Sequence, residues 1–117
     1  MKSAFMKDSD LQRIRYMNKH YKELQDEMSL IRSFDEFVDQ KNLIIKKAVM
    51  IDVAQISENI FGFSEELKSQ INTNDLKGIK DVRNFLIHGY AVVDDKILYR
   101  SIINDIPRLI SSINSLV

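Results

Sequence analysis

Lys77, Lys80, Asn84 and His88 follow one another at intervals of three, four and four residues. On an α-helix that spacing gathers two ammonium groups, an amide and an imidazole into one row. Arg83 lies beside the row, about 100° round from Asn84, within reach of whatever the row holds. None of these five residues is a carboxylate. Such a patch suits a phosphodiester. Arg83 would grip two phosphate oxygens and stabilise the charge that develops at phosphorus. His88 falls in the last helical turn, where the negative end of the dipole favours an imidazolium. An imidazole both accepts and donates a proton near neutral pH. It would deprotonate a ribose 2′-hydroxyl or protonate the leaving 5′-oxygen, and neither step needs a metal. One imidazole does not serve both sides of one phosphate at once, but a two-fold dimer joining two copies of the patch would. Lys77, Lys80 and Asn84 are the substrate-binding candidates, with Asn84 one turn below His88 and able to orient it or the phosphate. The plainer reading is that His88, just before Gly89, caps the C-terminus of its helix.

The period of the apolar residues is helical almost throughout. Ile14, Met17, Tyr21, Leu24, Met28 and Ile31 alternate spacings of three and four, one stripe of an amphipathic helix. Ser9 with Gln12 reads as its capping box and places its start near Asp10. Ser33 with Glu36 is a second capping box. From it a helix is expected to run unbroken to Phe61, about 42 Å, and to stop at Gly62. Its apolar positions cover more than one face, so it should lie at the centre of a bundle or carry a dimer seam. Ser64 caps a short helix to about Gln70. The fourth helix spans Asp75 to His88 and holds the cationic row. Asp94 starts a fifth, in which Pro107 should introduce a kink. Val92 and Val93 could pair as a very short strand. The expected fold is an all-α bundle of four long helices and one short one, a single domain over residues 1–117.

The chain has 117 residues, 44% hydrophobic and 29% charged, with 17 basic and 17 acidic side chains. That balance excludes a globally basic nucleic-acid binder, so RNA binding must come from the local patch. With no cysteine there is no disulfide framework. No apolar run approaches a membrane span, and the first residues lack the apolar core of a secretory signal. A soluble cytoplasmic protein is expected. Two histidines with no helical HxxxH give no expectation of a metal site, and no cofactor is expected. His20, flanking the apolar stripe, reads as ordinary surface. Lys46 and Lys47 read as solvated, and Glu65 and Glu66 as dipole partners of a first turn.

The string Arg83-Asn84-x-x-Ile87-His88-Gly89-Tyr90 resembles the R-N-x-x-x-H-x-Y signature of the HEPN superfamily, and more narrowly that of its HepT-like ribonuclease toxins. The similarity extends over roughly residues 8–115. Lys47-Ala48-Val49 through Ile56-Ser57-Glu58-Asn59 resembles the family's R-A-v…I-G-E-A segment, with Ser57 at the usual glycine. Asp105-Ile106-Pro107-Arg108-Leu109 resembles part of its final helix. The resemblance implies a HEPN-type homodimer with Arg83 and His88 catalytic in a cleft between protomers. It also implies a metal-independent endoribonuclease paired with a minimal nucleotidyltransferase antitoxin, which silences it by transferring AMP to Tyr90. Glu58 matches the family glutamate and, if buried, would need a partner such as Arg83 or Lys47. The alternative is a non-catalytic HEPN adaptor that docks against a nucleotidyltransferase.

Overall fold

The computed structural model describes residues 6–88 and 94–117, with the side chains of 87 and 88 outside the description. Tyr90 and the Val92–Val93 pair lie outside it too. The described residues form only helices: α1 (Asp8–Met28), α2 (Phe34–Val38), a 3-10 turn (Gln40–Asn42), α3 (Leu43–Phe61), α4 (Glu65–Lys68), α5 (Thr73–His88), α6 (Asp95–Arg100) and α7 (Ile106–Asn114). A π turn, Ser101–Asp105, joins α6 to α7. Together α6, the π turn and α7 act as one long helix, so four long helices and two short ones make up the bundle. The expected architecture holds, apart from one division.

That division is at Asp39. Ser33 caps as expected: its Oγ accepts from Glu36 N at 3.2 Å, and Glu36 Oε1 accepts from Arg32 N at 2.9 Å. The expected unbroken helix nevertheless ends at Val38. Asp39 turns extended (φ −66°, ψ 133°) and its carboxylate accepts from Lys41 N. Asn42 Nδ2 donates to the carbonyl of Glu36 at 2.8 Å, an oxygen that also accepts from Asp39 N. Both bonds offer the backbone an alternative to the helical ladder, and here the alternative wins.

The other boundaries move by a turn or less. Ser9 caps nothing. It lies inside α1, which opens at Lys7 with no side-chain cap and carries Asp8 and Asp10 in its first turn. Asp10 is buried and accepts from Ser64 N at 2.8 Å and from Ser64 Oγ, which ties α1 to the start of α4. Asn72 caps α5, its Oδ1 accepting from Asn74 N and Asp75 N, so the helix begins before Asp75. Gly62 ends α3 in right-handed geometry, φ −80°. It has no need of a left-handed residue. A Cβ there would meet the guanidinium of Arg13, the far end of a flexible side chain that can swing aside.

Pro107 sits just after a change of register in the last helix. It has no N–H to give Ile103 O. Ahead of it the chain widens into the π turn, where Ile106 N–H bonds Ser101 O, five residues back. Leu98, Ile102 and Ile106 are spaced by four, which drifts about 80° around a straight α-helix over eight residues. The wider turn takes up the drift, and all three stay buried.

The core runs between α1, α3 and the last helix. Met17, Val49, Val53, Ile56, Ile60 and Ile113 have no exposed surface at all. Ser57, among them, donates its hydroxyl to Val53 O at 2.8 Å, so the hydroxyl that replaces the family's glycine is satisfied within its own helix. Phe37 closes one end against Tyr99, ring centroids 5.4 Å apart, and Phe34 meets the same ring edge-on at 5.6 Å. Lys46 is not solvated as expected; its ammonium pairs with Asp95 at 2.7 Å and is 19% exposed.

The contact of α1 with α3 also holds a polar cluster. His20 Nδ1 lies 2.9 Å from Asp52 Oδ1, so His20 is not ordinary surface. Burial and the adjacent Asp52, with lesser contributions from Glu23 and Asp26, push the Glu27 carboxyl up to about 8 from 4.5. Below pH 4.5 the folded and unfolded chains both hold this proton, and no stability is lost. Above it the folded chain keeps a proton that the unfolded chain releases, so stability declines with rising pH until about 8. Glu27→Gln is expected to flatten that decline and to melt several degrees higher than wild type on the alkaline side. A series of melting temperatures in EDTA from pH 4 to 9 checks this, and parallel curves for the two chains would show that Glu27 carries no proton.

Candidate functional site

On α5, Ile79 and Val82 are buried and turned to the core. That fixes the rotation of the helix. Lys77, Lys80 and Asn84 are consequently exposed, and no ion pair or hydrogen bond engages their side chains among the described residues. The backbone of His88 closes the same helix. The structure thus keeps the expected row through Asn84. Asp81, one turn beyond Lys77, is exposed as well. It stands about 40° from Lys77 around the helix, so, as the sequence indicates, an acidic group borders the row.

Arg83 is the residue the structure specifies most closely. Its Nε donates to Glu58 Oε1 at 2.5 Å, across from α5 to α3. Its guanidinium lies over the Phe61 ring, 5.3 Å from the centroid. Glu58 has the partner expected for it, though it is half-exposed and not buried. Two contacts therefore hold a long side chain in one orientation, and the stacking contact with Phe61 could not be read from sequence spacing. The two Nη groups have no hydrogen-bond partner among the described residues. An arginine held through Nε and a ring face, with its outer fork free, is set to take two oxygens of a phosphate.

Beside Arg83 the surface is apolar. A groove of about 370 Å³ is lined by Lys47, Met50, Ile51, Ala54 and Leu86. Ile51 is 63% exposed and Ile44, two turns earlier on α3, is 84% exposed. This is the second apolar face that the sequence placed on the central helix. Lys47, unlike Lys46, is solvated and edges the groove.

The fold is a small all-α bundle that sets an oriented arginine beside an exposed row of cations. The family model described as Ribonuclease HepT-like matches residues 17–116, and the chain belongs to that family. No curated protein and no solved structure matches it. No helix among the described residues is long and apolar enough to cross a membrane.

Proposed function

We propose that the chain is a metal-independent endoribonuclease toxin that works as a homodimer, with Arg83 and His88 as its catalytic pair. The observation that carries this is the posture of Arg83, held by Glu58 and Phe61 with its outer fork unpaired among the described residues. The family match supports RNA as the substrate. In the reaction a ribose 2′-oxygen attacks phosphorus, its proton passing to one His88. The 5′-oxygen leaves with a proton from a second His88, and a 2′,3′-cyclic phosphate remains. Arg83 neutralises the extra charge at phosphorus as it forms. Lys77, Lys80 and Asn84 hold the flanking backbone. Two histidines on opposite sides of one phosphate require two chains, and the exposed Ile44 and Ile51 of α3 are suited to the seam between them.

Tyr90 is the regulated position in this reading. A nucleotidyltransferase antitoxin would join AMP to its phenol oxygen, adding negative charge and bulk two residues from His88 and repelling RNA. The protein would act in the cytoplasm, beside its antitoxin. The test is total cellular RNA with wild type and His88→Ala in excess EDTA, each preparation weighed intact by mass spectrometry. Cleavage by unmodified wild type and none by the variant is the expected result. Unmodified wild type that binds a nucleotidyltransferase and cuts nothing would make the chain a non-catalytic adaptor. Cleavage that needs an added divalent ion would overturn the metal-free mechanism.

A further inference from the structure

On the α1 side of α3 a second constellation stands apart from Arg83. His20, Glu23 and Glu27 recur on α1 at spacings of three and four, and Asp52 reaches them from α3. His20 Nδ1 is 2.9 Å from Asp52 Oδ1 and 3.4 Å from Glu23 Oε2. One ligand atom from each of His20, Glu23 and Asp52 falls within 4.8 Å of the others. The Asp52 side chain is 5% exposed, and that of Glu23 is 46% exposed, so the group has a buried floor and an open mouth. Glu27 lies against Asp52, and its Oε1 is buried with no hydrogen-bond partner among the described residues. No lysine or arginine pairs with Glu23, Glu27 or Asp52 among those residues.

Asp52 is buried beside His20, Glu23 and Glu27, and among the described residues no lysine or arginine reaches it, which is costly for its charged form. Carboxylates that face each other need a proton or a cation between them; without an ion Glu27 keeps the proton, and a bound cation would take its place. We propose that His20, Glu23 and Asp52 bind one divalent transition-metal ion, with Glu27 as the outer partner of Asp52. An imidazole with carboxylates suits Zn²⁺ and its neighbours, whereas Mg²⁺ prefers oxygen ligands alone. Three protein ligands leave a position for water. The orphaned Glu27 Oε1 is an acceptor for that water, as outer carboxylates are at other metal sites. The ion would staple α1 to α3. Asp52 faces α1 while Glu58, six residues on, faces α5, so the ion sits across α3 from Arg83 and takes no part in cleavage. The site therefore stands or falls independently of the ribonuclease reading.

Calorimetric titration of EDTA-stripped, dialysed protein with ZnCl₂ near neutral pH tests the site, alongside melting temperatures with and without the ion. One ion per chain and a higher melting temperature are expected, with millimolar Mg²⁺ failing to compete. His20→Ala and the half-exposed Glu23→Gln should each weaken Zn²⁺ about 10- to 100-fold, while His88→Ala should bind as wild type does. Glu23→Gln keeps the test decisive if His20→Ala fails to fold. Absence of binding in excess ZnCl₂ would overturn the site. So would binding that His88→Ala removes and Glu23→Gln leaves intact.

Discussion

Arg83→Ala is expected to lower RNA cleavage about 10²- to 10³-fold while the helix content stays that of wild type. The range is that of removing one donor from a developing oxyanion. The fold should survive because Arg83 is about one-third exposed and its ion pair with Glu58 joins two surface side chains. Pairs of that kind contribute roughly 0–1 kcal/mol. Arg83→Lys should rescue little. A lysine has one ammonium and lacks the fork that leaves two donors free while a third is held by Glu58. Glu58→Gln should cost less, within about tenfold, because an amide oxygen still accepts from Nε without the added strength of charge. Initial rates on one RNA substrate, with circular dichroism and the dimer fraction of each variant, separate these effects. If Arg83→Ala cuts within about threefold of wild type, the arginine is a surface strut between α3 and α5, and the catalytic reading fails with it.

The largest effect on stability is expected at Phe37. It is 1% exposed, and its ring touches that of Tyr99 while the Lys46 ammonium stands 6.0 Å over its face. Phe37→Ala should destabilise the chain by about 3–5 kcal/mol, from lost burial and the cavity left behind. A typical domain has only about 5–15 kcal/mol to lose. The loss should be concentrated because α2 has five residues and a helix that short has no stability of its own. Without the ring, Ser33 still caps a helix whose remaining aromatic contact is that of Phe34 with Tyr99. Phe37→Leu, which keeps most of the volume, should cost about 1 kcal/mol. Urea denaturation of the three chains gives the comparison. A Phe37→Ala loss under about 1 kcal/mol would mean that α2 is held by its caps and by the Lys46–Asp95 pair, and not by its ring.

The parts of this molecule that were legible in the sequence are those governed by helical period. The stripe of α1, the face of α5 that carries Lys77, Lys80 and Asn84, and the double apolar surface of α3 all follow from spacings of three and four. What escaped depends on particular side-chain bonds. Nothing in the apolar pattern marks Asp39, where two side-chain bonds to the backbone interrupt a run that periodicity alone would continue. Glu58 was expected to seek Arg83 or Lys47. Which of them it takes is decided by how α5 lies on α3, and the stacking on Phe61 follows from that packing. The His20 cluster was invisible for a similar reason. Its ligands on α1 look like scattered polar residues until Asp52, 32 positions away, is brought among them.

The π turn at Ser101–Asp105 bears on how such a chain can change over generations. A π turn is what an α-helix becomes when it gains one residue without moving its ends. Loss of one residue there would restore a straight ladder and leave Leu98 and Ile113 facing the core as they do now. The same deletion in the middle of α3 would turn every later side chain by about 100°. It would break the alignment of Asp52 with His20 or of Glu58 with Arg83, whichever lay beyond it. Length variation among descendants of this chain should therefore collect in the last helix, while α3, pinned by polar contacts on two sides, keeps its count.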